Sequence, residues 1–309
     1  LTGSMSFVAV VPAHVICAVG LGATLVMMGR YDVPALVETI ERERITFTYC
    51  PSPLLAEFAA AVKADPSRVR SLHSVMHSAS KADPAVLRSL YEAVGDRLIE
   101  GWGMTENSGS LATATVPSDY LDAAEDDSIF TTVGRAALGC SVRVAVDDGA
   151  ELPHDGETIG NLAFRSPGQT SGYWNRPEAT AEAIVDGWVF TGDLGSIDPE
   201  GYVRVTERRT DLIVSGGMHV YPSEVEQCIK ALDGVLDAGV VGVPNERWGQ
   251  AVVAAVVISD GGPDEAAIIA HCRAHLASFK KPNRVVFMDD LPYTATLKLA
   301  RAALREQLT

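Results

Sequence analysis

Residues 97–106 read RLIEGWGMTE, an apolar strand-like run that ends in a loop flanked by glycines. Upstream, predicted helices and strands alternate, with helices at 32–44, 54–64 and 84–94 and strands at 45–50, 74–78 and 97–102. Such alternation favours parallel βαβ units, whose ligand crevices lie beyond the carboxyl ends of the strands. The loop after residue 102 is therefore predicted to lie where this kind of fold binds its ligands.

The pattern changes after an acidic loop at 119–127. Between 133 and 205, short apolar runs are separated by turn signals such as Asp-Asp-Gly and Pro-Glu-Gly. This spacing is typical of antiparallel strands, here predicted to form a small barrel. From 208 onward, a Gly-Gly turn, apolar strands and three predicted helices indicate a compact α+β domain of normal size. We predict an α/β protein with one domain at 1–207, divided into an α/β part (1–118) and a β-rich part (119–207), and a second domain at 208–309.

The charge balance narrows the classes of partner. With 25 Lys and Arg against 40 Asp and Glu, the formal net charge is −15. An acidic surface field does not favour nucleic acids or anionic membranes, so neither is expected as a partner. The five cysteines are scattered without zinc or redox spacing, which indicates a reducing, cytoplasmic compartment. The most apolar stretch, 7–28, is interrupted by Pro12, His14 and several glycines, so a buried segment is favoured over a membrane span.

Phosphate chemistry is the first function suggested by the motif GWGMTE (101–106). Its glycines allow close backbone approach to a ligand, and Trp102 offers a flat face for a base. A hydroxyl beside a carboxylate, as in Thr105 and Glu106, suits a phosphate oxygen and its Mg²⁺. The simpler interpretation is a glycine turn with a surface glutamate.

A second motif, WVFTGDLGSIDPEGYVRVTERRTD (188–211), carries Asp193 in a Thr-Gly-Asp turn. Its carboxylate could accept hydrogen bonds from two vicinal hydroxyls, and Arg208 could donate to the same sugar or its phosphate. The simpler interpretation is a hairpin turn with an exposed ion pair.

Two further motifs lie in the last hundred residues. SGGMHVYPSEVE (215–226) places Ser-Gly-Gly before a predicted helix, and LPYTATLKLARAAL (291–304) places Lys298 at the start of the last predicted helix. Alone, the first is a turn before a capped helix and the second a solvated lysine.

Together, these four motifs resemble, in order and spacing, the acyl-adenylate-forming (AMP-binding) superfamily, and most closely its acyl-CoA synthetases. GNLAFRSPGQTSGYWNRPEAT (160–180) and VVGVPNERWGQAVVAAVV (240–257) add to the resemblance, which covers essentially the whole chain. It implies that 1–207 is the later portion of the large adenylate-forming domain and that 208–309 is its mobile C-terminal domain. The chain, which begins at Leu1, is interpreted as part of a longer protein.

The resemblance assigns roles to residues of this sequence. Catalysis would involve Lys298, bridging the acyl carboxylate and ribose-phosphate oxygens, with Thr105 at the α-phosphate and Glu106 at Mg²⁺. The nucleotide would lie along Gly101, Trp102, Gly103 and the stretch Ser78, Ala79, Ser80, with Asp193 and Arg208 on the ribose. Ser215, Gly216 and Gly217 would line the tunnel for the CoA pantetheine, and Thr210 would be the hinge. The implied cofactors are ATP, Mg²⁺ and CoA.

The sequence departs from the superfamily pattern at several positions. The Ser/Thr/Gly-rich phosphate loop with its lysine is expected upstream and does not occur in these 309 residues. Trp102 replaces the usual Tyr, Glu207 and Leu297 each replace a Gly, and Ser78-Ala79-Ser80 replaces Gly-Gly-Ala. We therefore expect these residues alone to be inactive, and a second chain carrying the N-terminal half, or a homodimer, to cover exposed apolar surface at 7–100.

Other functions were weighed against this one. Ser78 to Lys81 matches the S-x-x-K pattern of penicillin-binding serine hydrolases, but the partner motifs are lacking. His73/His77 and His271/His275 have metal-ligand spacing, yet the first pair falls in a predicted strand and the second has no third ligand nearby, so ordinary histidines are preferred. A non-catalytic binding module, or adenylation for a carrier protein, stays open. The expected function is activation of a carboxylic acid of unspecified identity with ATP, followed by transfer to CoA.

Overall fold

A computed structural model describes residues 10–29, 32–51, 54–78, 82–121, 123, 126–294 and 298–309. The chain divides into two compact units, Leu1–Thr191 with Gly195–Val205 and Gly192–Leu194 with Thr206–Thr309. None of the described helices is long and apolar enough to cross a membrane. The predicted domain boundary at 207/208 and the subdomain boundary at 118/119 stay predictions.

The first element that the structure describes is a π-helix, Val10–Ile16, which runs into the short helix α1 (Cys17–Gly20). Three longer helices follow, α2 (Val33–Glu43), α3 (Leu55–Ala64) and α4 (Pro84–Val94). Aspartates cap two of them, because Asp32 accepts a hydrogen bond from the Ala35 amide at 2.9 Å and Asp83 from the Ala85 amide at 2.8 Å. In both helices a proline follows at the first turn, where its missing N–H leaves no bond unmade.

These helices pack with a five-stranded sheet whose strands lie in sequence order: β1 (Phe47–Tyr49), β2 (Ser74–His77), β3 (Leu98–Gly103), β4 (Leu111–Ala114) and β5 (Arg135–Ala136). β1, β2 and β3 are parallel, whereas β4 and β5 add antiparallel. The hydrophobic core between helices and sheet includes Leu36, Ile40, Phe58, Leu90 and Leu98. The predicted parallel βαβ units are thus confirmed.

A second sheet contains β6 (Ser141–Ala145), β7 (Gly160–Arg165), β8 (Ile184–Val185), β9 (Trp188–Ile197) and β10 (Val203–Arg208), with α5 (Pro177–Ala183) before β8. Its strand order is β10-β9-β7-β6, and β8 pairs with β9. β6 and β7 are antiparallel, as are β8 and β9. The β-rich character predicted for 133–205 is therefore present.

The second unit is built on a third sheet, with β11 (Ile213–Ser215), β12 (Met218–Val220), β13 (Val235–Asn245), β14 (Gly249–Ile258) and β15 (Arg284–Phe287). The order is β12-β11-β14-β13, with β15 parallel beside β14. Helices α6 (Pro222–Lys230) and α7 (Glu265–His275) share one apolar cluster with this sheet, and α8 (Arg301–Leu308) belongs to another. The mixture of parallel and antiparallel sheets with helices confirms the α/β class.

Candidate functional site

The end of β3 carries the glycines of the GWGMTE motif, and both are required by packing. A Cβ on Gly101 would lie 2.6 Å from Leu111 Cδ1, and one on Gly103 would lie 2.4 Å from the Ser110 carbonyl oxygen. At Gly103 the facing backbone leaves no room for a side chain, whereas a side chain at Gly101 would displace Leu111 and press on the Thr113 carbonyl oxygen at 3.1 Å. Trp102, between them, is half-buried and packs against two apolar clusters that include Leu162 and Phe164 of the second sheet. The glycines thus have a structural role in addition to the predicted one.

After β3 the chain makes a short 3₁₀ turn, Thr105–Asn107, which presents the predicted phosphate and Mg²⁺ residues. Thr105 is exposed and Glu106 is half-buried. Tyr173 donates its hydroxyl hydrogen bond to Glu106 Oε1 at 2.7 Å, and this bond is the main reason that the pKa of Tyr173 is raised to about 12. The Thr170 amide also donates to the Glu106 carbonyl at 2.7 Å.

Tyr173 is a candidate that the motif analysis missed. It lies within the GYW of 172–174, inside a stretch that was used only as support for the resemblance. The loop that carries Tyr173 is also bonded to the residue after the Thr105–Asn107 turn, because Ser108 Oγ donates to the Gly168 carbonyl at 2.6 Å. The carboxylate proposed to bind a metal is thus oriented by a neighbouring phenol, as ligating carboxylates usually are.

Directly behind the glycine strand lies a buried polar pair. His77, fully buried at the end of β2, has its Nδ1 at 2.5 Å from Glu100 Oε2, the last side chain before Gly101. Burial raises the pKa of Glu100, and His77 opposes that shift. The Glu100 amide donates to Thr115 Oγ1 at 2.8 Å, which in turn pairs with the Tyr120 hydroxyl at 3.0 Å.

The two residues of this pair directly precede the two stretches predicted to bind the adenine. His77 comes just before Ser78, and Glu100 comes just before Gly101. Ser78 follows His77, and its carbonyl accepts a hydrogen bond from the Tyr49 hydroxyl at 3.1 Å. The other two residues of that prediction, Ala79 and Ser80, lie outside the described residues, as do Lys81 and Leu297. Sequence reasoning treated His77 as half of a weak metal spacing; an ionisable residue in each of two adjacent apolar strands was the signal for a pair.

In the second unit, the structure brings together Asp193 and Arg208. Arg208 Nε lies 2.8 Å from Asp193 Oδ1, with the carboxylate nearly buried and the guanidinium about half exposed, at 51%. The Arg209 amide donates to the Gly192 carbonyl at 2.7 Å, which fixes the backbone at the same place. An anchored carboxylate beside an accessible guanidinium can bind a diol on one side and a phosphate on the other.

Lys298 belongs to the same electrostatic group. Loss of solvent lowers the pKa of Lys298, the positive charge of Arg208 lowers it further, and Asp193 partly opposes both. The prediction that Lys298 starts the last helix is wrong, because α8 begins only at Arg301. Lys298 instead ends a tight loop: its carbonyl accepts from the Thr294 amide at 2.8 Å, and its amide donates to Thr294 Oγ1 at 3.1 Å.

The Ser-Gly-Gly motif forms the tight hairpin between β11 and β12. Gly216 and Gly217 have φ of 58° and 79°, so both occupy the left-handed region that two-residue hairpin turns require. A Cβ on Gly216 would lie 2.8 Å from Trp248 Cε3, and the Gly216 amide donates to the Trp248 carbonyl at 2.7 Å. Trp248 thus forms a wall beside the turn, a role that the sequence did not indicate.

The predicted hinge residue, Thr210, lies in an exposed turn just after β10. Next to it, Asp211 Oδ2 lies 3.3 Å from Arg301 Nε, and Arg301 also binds both carboxylate oxygens of Glu226. The buried Glu207 accepts from the Ser223 amide at 2.8 Å and from the Arg208 amide at 3.1 Å, while Ser223 Oγ donates to the Thr206 carbonyl at 3.1 Å. Burial raises the pKa of Glu207, opposed by the charge of Arg301.

The candidate residues therefore form two groups. One lies at the end of β3 and contains Gly101, Trp102, Gly103, Thr105 and Glu106. The other lies in the second unit around Asp193, Arg208 and Lys298, and the Ser215–Gly217 turn belongs to that unit as well. Each group offers a different chemistry, an oxygen ligand for a hard cation in the first and positive charge for an anion in the second.

Comparison with known proteins connects these groups to a family. The AMP-binding enzyme model matches residues 1–174, and the AMP-binding enzyme C-terminal domain model matches 224–298. A 3-[(3aS,4S,7aS)-7a-methyl-1,5-dioxo-octahydro-1H-inden-4-yl]propanoyl:CoA ligase of Mycobacterium tuberculosis is 37% identical over 95% of this chain and 55% of its own length. The chain spans about half the length of the curated relatives it matches.

Two solved structures are also similar. The amide bond synthetase McbA from Marinactinospora thermotolerans is 33% identical with a TM-score of 0.84, over 95% of this chain and 59% of that one. The o-succinylbenzoate CoA synthetase MenE from Bacillus subtilis, in complex with the acyl-adenylate intermediate OSB-AMP, is 26% identical with a TM-score of 0.86, over 99% and 60%. The predicted family is confirmed: this chain belongs to the AMP-binding enzymes.

Proposed function

We propose that this chain is part of an acid–thiol ligase that activates a carboxylic acid with ATP and transfers it to CoA. The observation that supports this most is the Asp193–Arg208 pair at 2.8 Å with the Lys298 ammonium in its field. A diol acceptor, a fixed guanidinium and a partly desolvated ammonium suit a ribose phosphate meeting a carboxylate. Relatives of this chain include CoA ligases, which agrees with this proposal.

In the first step of this proposal, a carboxylate oxygen attacks the α-phosphorus of ATP, and pyrophosphate leaves. Lys298 stabilises the negative charge that develops between the acyl oxygen and the phosphate oxygens, and Arg208 with Asp193 holds the ribose. Thr105 donates to an α-phosphate oxygen. Glu106, oriented by Tyr173, would hold Mg²⁺, which supplies positive charge for the triphosphate.

The base of the nucleotide is assigned to the first unit. Trp102 offers a flat face for the base, and the glycines on either side of it carry no side chain because β4 packs closely against them. Ser78 follows His77, whose buried contact with Glu100 joins the ends of β2 and β3 beside this site. Ala79 and Ser80 complete the assignment by sequence.

In the second step, a thiol sulfur attacks the acyl carbon and AMP leaves. The acceptor thiol of CoA is assigned to the Ser215–Gly217 turn, where Trp248 provides an apolar wall for a pantetheine arm. Thr210 is the proposed hinge about which the C-terminal domain turns between the two steps. A carrier-protein thiol is the alternative acceptor, because it bears the same pantetheine chemistry.

The partner proposals concern the face of the first unit. Ile16, Val19 and Leu21 are 60%, 68% and 85% exposed, an unusual run of apolar surface. We propose that a segment corresponding to the N-terminal portion of the relatives covers this face, carried either in the same protein or on a second chain; a homodimer is the alternative. The cytoplasm remains the proposed location.

The test is ATP–pyrophosphate exchange with a panel of carboxylic acids. It is run on these 309 residues alone, and again with the N-terminal portion of a relative fused to or mixed with them. We expect exchange only in the second case, since the leaving pyrophosphate must be held by a glycine-rich loop with a lysine that these residues do not contain. CoA, a carrier protein and an amine are then offered as acceptors.

The outcomes separate the candidates. Exchange followed by thioester formation with CoA supports the proposal, and a product only with the carrier protein supports the alternative acceptor. Robust exchange by the 309 residues alone contradicts the assignment of the phosphate-binding role to an N-terminal portion. Nucleotide binding without exchange for any acid, in the completed protein, supports a non-catalytic binding module instead.

A further inference from the structure

Three metal-ligating side chains of the second unit meet where α6 packs against α7, and none of them has a role in the proposed function. His271 and His275 lie one turn apart on α7, and Cys228 lies on α6. One ligand atom from each lies within 4.8 Å of the others. The sequence left this histidine pair without a third ligand, and the packing of α6 against α7 supplies it.

The histidine orientation suits a metal. His275 Nδ1 lies 2.9 Å from the His271 carbonyl oxygen, and because a carbonyl can only accept, Nδ1 must carry the proton. The lone pair is then on Nε2, the tautomer that metal-bound histidines adopt when their other nitrogen donates to a backbone carbonyl. The two imidazole rings lie side by side, with centroids 4.2 Å apart and planes inclined by 34°.

The backbone that carries these ligands is firmly packed. Val225 and Ile229 of α6 and Ile268 and Cys272 of α7 are all buried in the same core cluster. Cys228 packs against this cluster as a partly buried side chain. His275 is the last residue of α7, where the carbonyl end of the helix favours a cation. Glu224, one turn from Cys228, is held by Lys280 at 2.7 Å and is not needed as a ligand.

We propose that Cys228, His271 and His275 form a binding site for Zn²⁺ or a similar borderline-soft divalent cation. Two imidazole nitrogens and a thiolate are the donors such ions prefer, and none is an oxygen ligand of the kind that Mg²⁺ or Ca²⁺ requires. Zn–N and Zn–S bonds of about 2.0–2.3 Å place tetrahedral ligands about 3.3–3.8 Å apart, so small side-chain rotations close the cluster. Since His275 is exposed, water takes the fourth position.

Such a site would link α6 to α7 and stabilise the second unit, independently of adenylate formation. A ligand that binds only the folded state raises stability in proportion to RT ln(1 + [L]/Kd). The site therefore predicts a metal-dependent melting temperature rather than a metal-dependent reaction.

The test is a titration of the 309-residue chain with Zn²⁺ and, separately, Co²⁺, in a thiol-free reductant after treatment with EDTA. We expect one ion per chain, and a sulfur-to-cobalt charge-transfer absorption with Co²⁺. Cys228→Ser, His271→Ala and His275→Gln should each weaken affinity by at least about 100-fold, since loss of even a second-shell partner costs about 10- to 100-fold. The matched controls Cys140→Ser and His154→Ala should bind as the unmodified chain does.

Melting in EDTA and in Zn²⁺ separates metal binding from damage to the fold. Zn²⁺ should raise the melting temperature of the unmodified chain and both controls, and leave that of His275→Gln unchanged. Because His275 is exposed at a helix end, this variant keeps its fold and remains informative even if Cys228→Ser does not. Absence of saturable binding, a cobalt spectrum without the thiolate band, or full affinity in His275→Gln would overturn the proposal.

Discussion

The two groups of candidate residues are held in different ways. At the end of β3, backbone contacts and a buried polar pair fix the residues, and a Cβ at Gly101 or Gly103 would collide with β4. Around Asp193 the residues are held by charge, and Arg208 remains about half exposed. The first group is therefore part of the fold, whereas the second can change without disturbing it. Substitutions should cost stability in the first and chemistry in the second.

The largest effect is expected from Glu100→Ala. It removes the carboxylate from beside the fully buried His77, and removing one member of a buried pair typically costs about 3–5 kcal/mol of unfolding free energy. Scanning calorimetry of the chain should show a clearly lower melting transition for the first unit. Glu100→Gln, which keeps the volume and a hydrogen bond to His77, should lose much less. Equal stability of the alanine variant would mean that the pair does not support the strand ends.

Lys298→Ala should separate the two half-reactions in a protein completed with the N-terminal portion of a relative. Removing one charge-stabilising donor at a transition state typically costs about 10²–10³-fold, so adenylation should fall by that factor. Thioester formation from preformed acyl-adenylate and CoA should be largely spared. The melting temperature should not change, because Lys298 is exposed. A parallel fall in both half-reactions would remove the proposed division of labour; Lys281→Ala serves as the control.

Asp193→Ala is expected to weaken nucleotide binding. A hydrogen bond to a charged group contributes about 1.5–3 kcal/mol, which corresponds to about 10- to 100-fold in affinity for AMP or ATP. Titration calorimetry measures this, with the exposed Asp155→Asn as a control. Unchanged affinity would return Asp193 to the role of a structural partner for Arg208.

The smallest effect is a shift in pH dependence. The pKa of Lys298 is lowered from its ordinary value of 10.5, so the charged form is lost as pH rises through the lowered pKa. Adenylation needs that charge. Its rate should therefore begin to fall at a lower pH than it would with a lysine of ordinary pKa. Lys298→Arg, whose guanidinium stays charged, should move this decline to higher pH even if its rate is lower. An identical alkaline limb in both proteins would assign the decline to another group.

Local signals predicted much of this molecule. Apolar periodicity, together with an aspartate followed closely by a proline, located α2 and α4 to within about a residue, because caps and packing act over a few neighbouring positions. Contacts across the fold were out of reach: Tyr173 reaches Glu106 over 67 positions, and Cys228 meets His271 only through helix packing. Lys298 was misplaced because a bridge between Tyr293 and Leu299 delays the last helix. The sequence indicated candidate residues for the chemistry, and the fold determined their partners.

The contacts of Glu207 affect how freely the Ser-Gly-Gly hairpin can move. The Glu207 carboxylate accepts from the Ser223 amide, and the Ser223 hydroxyl donates to the Thr206 carbonyl. These hydrogen bonds join the end of β10 to the start of α6, so the chain from 207 to 223 forms a ring whose two ends are held together. Closing such a ring in advance removes the entropy that its two ends would otherwise have, by an amount that grows only slowly with length. A glycine at position 207 would have no side chain with which to hold the two ends of this ring together. Because β11 also pairs with β14, amide exchange at 213–220 should report the joint opening of this ring and of the β11–β14 pairing.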